Sequence, residues 1–146
     1  LRPLNGKIET LIGRSRKNRQ LMSVTEITGK KSITNYKTLK VFNIKNIPKI
    51  SFIECELETG RTHQIRVHMA YKGNSLLGDQ QYGKKNLRFK KINEEFEDKL
   101  KILSRQALHA KSLGFIHPTN KKRISFESKL PKDFQKILNL LNKLNY

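Results

Sequence analysis

The sequence predicts an α+β fold: a mixed, largely antiparallel sheet with flanking helices, in one domain over residues 1–146. Three observations carry that prediction. Apolar alternation with period two recurs along the chain, which is the pattern of half-buried strands. Phe134, Ile137, Leu138, Leu141 and Leu144 fall on one stripe at helical spacing. No internal repeat, linker or low-complexity segment divides the 146 residues.

Taken in order, Lys7 to Ile12 alternates as a strand, and Gly13 to Gln20 follows as a basic loop with Arg14, Arg16, Lys17 and Arg19. Leu21 to Val24 reads as a short strand, and Thr28-Gly29-Lys30-Lys31 as a turn. Ser32 to Phe42 is rich in β-formers. Residues 43–49, with Pro48, connect it to Ile50–Leu57, where Ile53 breaks strict alternation. These two long strands should pair antiparallel. A helix is expected from near Thr62, with Thr62 as its cap, to a stop at Gly73. Residues 74–82 are irregular, and 84–91 form a second basic stretch. Phe96, Leu100 and Leu103 mark a short surface helix over 93–103. Ala107 to His117 is read as strand, His117-Pro118-Thr119-Asn120 as a turn, and Arg123 to Glu127 as a strand. Asp133 to Leu144 is the amphipathic helix that covers a sheet.

Charge narrows the partners. The chain carries 31 Lys+Arg against 12 Asp+Glu, a formal net charge of +19. Such a field attracts polyanions, and nucleic acid is the first candidate partner. A lysine-rich composition explains part of the excess, but not the arginines grouped in one motif. No apolar run reaches the ~18 residues that a membrane helix needs. The resulting expectation is a cytoplasmic protein with no membrane partner. The single cysteine, Cys55, has no partner for an internal disulfide and is read as a buried, inert thiol.

The candidate chemistry lies in Thr59-Gly60-Arg61-Thr62-His63-Gln64-Ile65-Arg66-Val67-His68, where a strand hands over to a helix. His63 and His68 are five residues apart, about 140° around a helix. They cannot ligate one metal from one face, and no metal is expected. His109 and His117 are read as hydrogen-bonded structural histidines. No serine-hydrolase elbow, phosphate loop or dinucleotide fingerprint is present. Asp79 is the one acid between Arg61 and Lys91; an Asp after Gly in a turn caps backbone donors more often than it does chemistry. On a helix, Arg66 falls between Met69 and Ala70 and is partly desolvated. A buried guanidinium needs a carboxylate or phosphate, and no acid close in sequence is an obvious match.

Leu57 to Ala70, followed by Gly78-Asp79-x-x-Tyr82-Gly83, resembles the RluA-type pseudouridine synthases, closest to their ribosomal large-subunit branch. Gly29-Lys30-x-Ser32-x-Thr34-x-Tyr36 is similar to the family's strand entry, with Ser where the family has Ala. Arg105 to Ala110, His117-Pro118 and Leu130-Pro131-x-Asp133 are similar to its C-terminal elements. Asn74-Ser75 departs from it, because the family carries a proline before the Gly-Asp turn.

The resemblance implies the pseudouridine synthase catalytic fold, an isomerase acting on uridine in RNA, and no cofactor. In that mechanism an aspartate attacks the flipped-out nucleotide, the glycosidic bond breaks, and the uracil rotates and rejoins through carbon. By the same resemblance Arg66 pairs with that aspartate, and Leu108 lines the uracil pocket. Arg61, Thr62, His63 and Gln64 hold the loop or meet RNA phosphate. The family's His-Arg-Leu-Asp motif, which carries the nucleophile, does not occur in these 146 residues. The expectation is therefore the C-terminal portion of a catalytic domain, inactive alone, with Arg66 as half of an ion pair whose other half lies outside the chain. The alternative is a non-catalytic RNA-binding or ribosome-associated module. DNA binding finds no helix-turn-helix or zinc-finger pattern to support it.

Overall fold

The computed structural model describes residues 1, 3–45, 48–83 and 94–145. The basic stretch over 84–91, the start of the helix expected at 93, and part of the 43–49 connection fall outside them.

β1 (Asn5–Arg14), β2 (Met22–Thr25), β3 (Lys30–Phe42) and β4 (Ile50–Leu57) form one sheet in the order β2-β1-β3-β4. Every pairing is antiparallel, including the expected one between the two long strands. The break in alternation at Ile53 has a cause on the neighbouring strand. Ile53 pairs with Thr38 and Phe52 with Lys40, so Leu39 is skipped as a β-bulge. A bulge locally re-aims side chains, and Phe52 and Ile53 are both partly buried, against different clusters.

β1 and β3 present Ile8, Thr10, Ile12, Thr34 and Tyr36 to α1 (Gln64–Tyr71), which follows β4 through a tight loop. Ile8, Tyr36 and Met69 form the apolar part of this interface, with Cys55 and Ile65 packed beside them. Burial raises the Cys55 thiol to about 11, so it stays a thiol at neutral pH. The interface also has a polar centre. His68 is 0% exposed, its Nε2 lies 2.9 Å from Thr10 Oγ1, and its Nδ1 lies 2.8 Å from Thr34 Oγ1. Both ring nitrogens are satisfied by hydroxyls, which suits a neutral imidazole. α1 ends where expected: Gly73 has φ +75°, and the amides of Gly73 and Asn74 return to the carbonyls of Ala70 and Met69.

α2 (Glu94–Leu103) and α3 (Lys132–Leu144) pack on one another and on the far end of the sheet. Their apolar stripes meet there, with Phe96 and Leu103 against Ile137, Leu140 and Leu141, closed by Phe42 and Ile44 from the end of β3. Between the helices, β5 (Ser112–Ile116) and β6 (Arg123–Glu127) make a separate antiparallel ribbon. The expected strand over 107–117 is thus shorter. Residues 105–109 spend their hydrogen bonds elsewhere: Ala107 N–H donates to Leu77 O at 2.7 Å, and His109 Nε2 lies 3.0 Å from Ser128 O. His117 Nδ1 accepts from the amides of Thr119 and Asn120, the structural role expected of it.

Burial lowers the pKa of His68. The unfolded chain then binds a proton that the folded chain refuses. Stability is therefore fully present above ~6.5, the ordinary histidine value, and declines as the pH falls below it. The urea midpoint should fall between pH 7 and pH 5, and in His68→Gln that fall should be reduced. An equal decline in both proteins would contradict the assignment.

Candidate active site

The loop from β4 to α1 is built by side chains that reach back to the sheet. Thr59 Oγ1 accepts from Ile33 N–H at 2.8 Å and donates to Gln64 Oε1 at 2.8 Å. The same Gln64 oxygen accepts from Arg61 N–H at 3.0 Å. Gln64 Nε2 donates to Ile33 O and to Thr34 Oγ1, each at 2.9 Å. All four hydrogen-bonding positions of this amide are filled inside the protein, and the residue is 3% exposed. Gln64 is therefore a loop brace rather than the RNA contact allowed for it. Thr62 is not the helix cap. α1 begins two residues later, and the residue before it is His63, with φ 56° and no side-chain cap bond. Gln64 instead closes the turn before the helix, where its carbonyl accepts from Arg61 N–H. Thr62 and Arg61 are exposed, and Arg61 Nε donates to Lys31 O at 3.1 Å.

Arg66 lies one turn into α1 and is 8% exposed. It has a carboxylate after all, thirteen residues on. Its Nε donates to Asp79 Oδ2 and its Nη2 to Asp79 Oδ1, both at 2.8 Å. This two-point geometry is the strongest form of the pair. Nη2 also donates to Gln81 Oε1 at 2.9 Å, and the guanidinium carbon lies 4.8 Å from the centre of the Tyr82 ring. The expectation that Arg66 lacks a partner within the chain is thus corrected. Asp79 does cap its turn as expected, since Oδ1 accepts from the amides of Gln81 and Tyr82 at 3.0 Å each. It serves Arg66 at the same time. Burial alone would raise its pKa, but the Arg66 guanidinium and the two amides outweigh this and hold it below the usual carboxylate value. The bond to Asp79 in turn raises the pKa of Arg66.

The Asp79 loop is held from two sides. Gly78 has φ +71°, and a Cβ there would run into Arg105 O, so the loop lies directly on the 105–108 segment. Arg105 reaches Asp133 at the start of α3 (3.1 Å) and Leu108 O (3.1 Å). Leu108 is half-buried in this segment. It joins the loop through the backbone bond of Ala107 to Leu77. On the other side, Tyr82 Oη accepts from Met22 N–H at 3.0 Å and lies 2.9 Å from His63 Nδ1. Burial and the nearby Arg66 both lower the pKa of His63, which favours its neutral ring. The exposed Arg14 ends β1, and the exposed Arg16, Lys17 and Arg19 follow on the β1–β2 loop, just before the Met22 that holds Tyr82.

Sequence reasoning therefore found Arg66 and missed its cage of Asp79, Gln81 and Tyr82. The signal was present. Asp79 is the one acid in a basic region that contains a desolvated arginine, but the rest of α1 and the loop after it separate the two in sequence.

The family model described as RNA pseudouridylate synthase matches residues 2–71. The ribosomal large subunit pseudouridine synthase D of Zymomonas mobilis is 43% identical over 139 residues, covering 94% of this chain and 41% of that protein. The enzyme of the same name from Neisseria meningitidis serogroup A is 44% identical over 140 residues, covering 95% of this chain and 35% of its own. The chain thus spans about two fifths or less of the length of these curated relatives. Among solved structures, human RNA pseudouridylate synthase domain containing 1 superposes with a TM-score of 0.67 at 21% identity. It covers 97% of this chain and 61% of that one, and shares the fold.

Gln64→Ala should destabilise the protein by about 2–4 kcal/mol, because it strips partners from the Arg61 amide, Thr59 and Ile33 O together. Chemical denaturation checks this. Full stability with weakened RNA binding would return Gln64 to the role of an RNA contact.

Proposed function

This chain belongs to the RNA pseudouridylate synthase family, and from that premise we propose that the protein containing it isomerises uridine to pseudouridine in RNA. We infer that large-subunit ribosomal RNA is the substrate and the cytoplasm the place of work. The names of the relatives support the substrate, and the +19 charge supports a polyanionic partner.

The observation that carries the reading is the state of Arg66. Asp79 and Gln81 take its Nε–H and both Nη2–H groups. Nη1 has no hydrogen-bond partner among the described residues. A buried, oriented guanidinium with one edge open suits a second anion, and in this reading that anion is the nucleophilic aspartate. Asp79 cannot be that nucleophile, since four donors already occupy its two oxygens. The family's His-Arg-Leu-Asp motif is missing from these 146 residues, so the chain supplies the C-terminal portion of the catalytic domain. Arg66 holds the nucleophile ionised and aimed, and Leu108 contributes to the apolar wall for the uracil. The exposed Arg61, Thr62 and the rim of His63 meet RNA, together with the 14–19 loop. No step asks for a cofactor or metal.

The 146-residue chain alone should bind RNA without releasing tritium from 5-labelled uridine, whereas the full-length protein should release it. Release by the short chain would overturn the domain assignment. In the full-length protein Arg66→Met should lower turnover by on the order of 10²-fold or more, with RNA affinity changed by less than about threefold, since the pair is made in the pocket and not at the phosphate backbone. Equal losses in turnover and affinity would make Arg66 an RNA contact.

A further inference from the structure

We propose that Asp79 and Gln81, with Tyr82 beneath, form a one-sided clamp that positions Arg66, so that only its Nη1 edge can meet the nucleophile's carboxylate. This rests on the functional reading above and names residues that act through Arg66 rather than on the substrate.

A guanidinium has five N–H donors in a rigid fork. Three are spent on Asp79 and Gln81: Asp79 takes the Nε–Nη2 edge and Gln81 the second Nη2–H. The Tyr82 ring covers one face at 4.8 Å. The side chain is therefore fixed in orientation, and its remaining donors both sit on Nη1. An arginine on a free four-bond stem would have to be ordered during the reaction; one held beforehand contributes its charge without that cost. The charged and titratable groups around it are Asp79 from its loop, Tyr82 and His63, with Arg14 from the end of β1 further out. Burial and Arg66 itself lower the pKa of His63, which favours the neutral ring and disfavours a competing positive charge at the clamp.

Asp79 carries two duties that one substitution separates. Its turn needs an acceptor at Oδ1 for the amides of Gln81 and Tyr82. An asparagine oxygen can serve both. The clamp also needs an acceptor at Oδ2 for Nε, and an asparagine NH2 placed there repels that N–H and removes the negative charge that pairs with the guanidinium. Asp79→Asn therefore retains the turn and loosens Arg66 at its Nε end.

The test uses the full-length protein as wild type, Asp79→Asn and Gln81→Ala, with turnover followed against pH and RNA affinity measured separately. Asp79→Asn should lower kcat on the order of 10–10²-fold, and Gln81→Ala less. RNA affinity should stay within about twofold of wild type. The acid limb of the kcat profile should move to higher pH in both variants, because a loosely held Arg66 stabilises the ionised nucleophile less. A loss of kcat with the acid limb unmoved would mean that Asp79 is merely structural. Weakened RNA affinity at unchanged kcat would mean that the Nη1 edge meets phosphate. Either result overturns the proposal. If Asp79→Asn does not fold, Gln81→Ala carries the same test, since Gln81 lies at the rim. If wild type is inactive, the functional reading fails, and the clamp is then judged from arginine-labelled NMR. A slowly exchanging Arg66 Nε–H that turns fast in Gln81→Ala supports the clamp, and fast exchange in wild type overturns it.

Discussion

The ion pair between Arg66 and Asp79 is the constraint on which the site depends. A guanidinium taken out of water is costly unless its donors are met with good geometry. Here two nitrogens meet two oxygens at 2.8 Å, and the carboxylate side chain is 0% exposed. Removing one partner of such a pair leaves the other buried and unpaired, at a cost of about 3–5 kcal/mol. That penalty makes the loop after α1 follow one path, with Gly78 pressed on the Arg105 carbonyl and Asp79 turned inward. The pair also ties α1 to the 105–108 segment and, through Arg105 and Asp133, to the start of α3.

Beneath α1 a second polar system fixes the same helix against the sheet. Thr59, Gln64, Thr34, His68 and Thr10 form a continuous chain of hydrogen bonds in the interface. Apolar packing by Ile8, Tyr36 and Met69 alone would let the helix slide or rotate. The polar chain accepts one register. Arg66 thus projects from an element held on the sheet side by this network and on the loop side by Asp79. A site held on a rigid element keeps its geometry better than one carried on a loop.

The strands and helices were largely legible in the sequence, because period-two and helical stripes are local signals. Ile53 shows the limit: its break in alternation is visible, but its cause, the bulge at Leu39, lies on the partner strand. The shortened strand after Ala107 has the same origin, since a backbone bond to Leu77 claims the chain there. At the site, Arg66 was legible as a desolvated cation and Asp79 as a turn cap. Their pairing was not, because it spans a loop whose path is set by Gly78 and Arg105. Gln64 misled in the opposite direction. A polar residue in a basic motif suggests a ligand contact, and only the fold shows each of its bonds returning to β3 and the loop.

A crystal structure of the full-length protein bound to an RNA substrate tests the central claim most directly. Arg66 should keep Nε and Nη2 on Asp79, as they are here, with Nη1 on a second carboxylate beside the target uridine. An Arg66 that has left Asp79, or whose Nη1 rests on an RNA phosphate, would contradict the account.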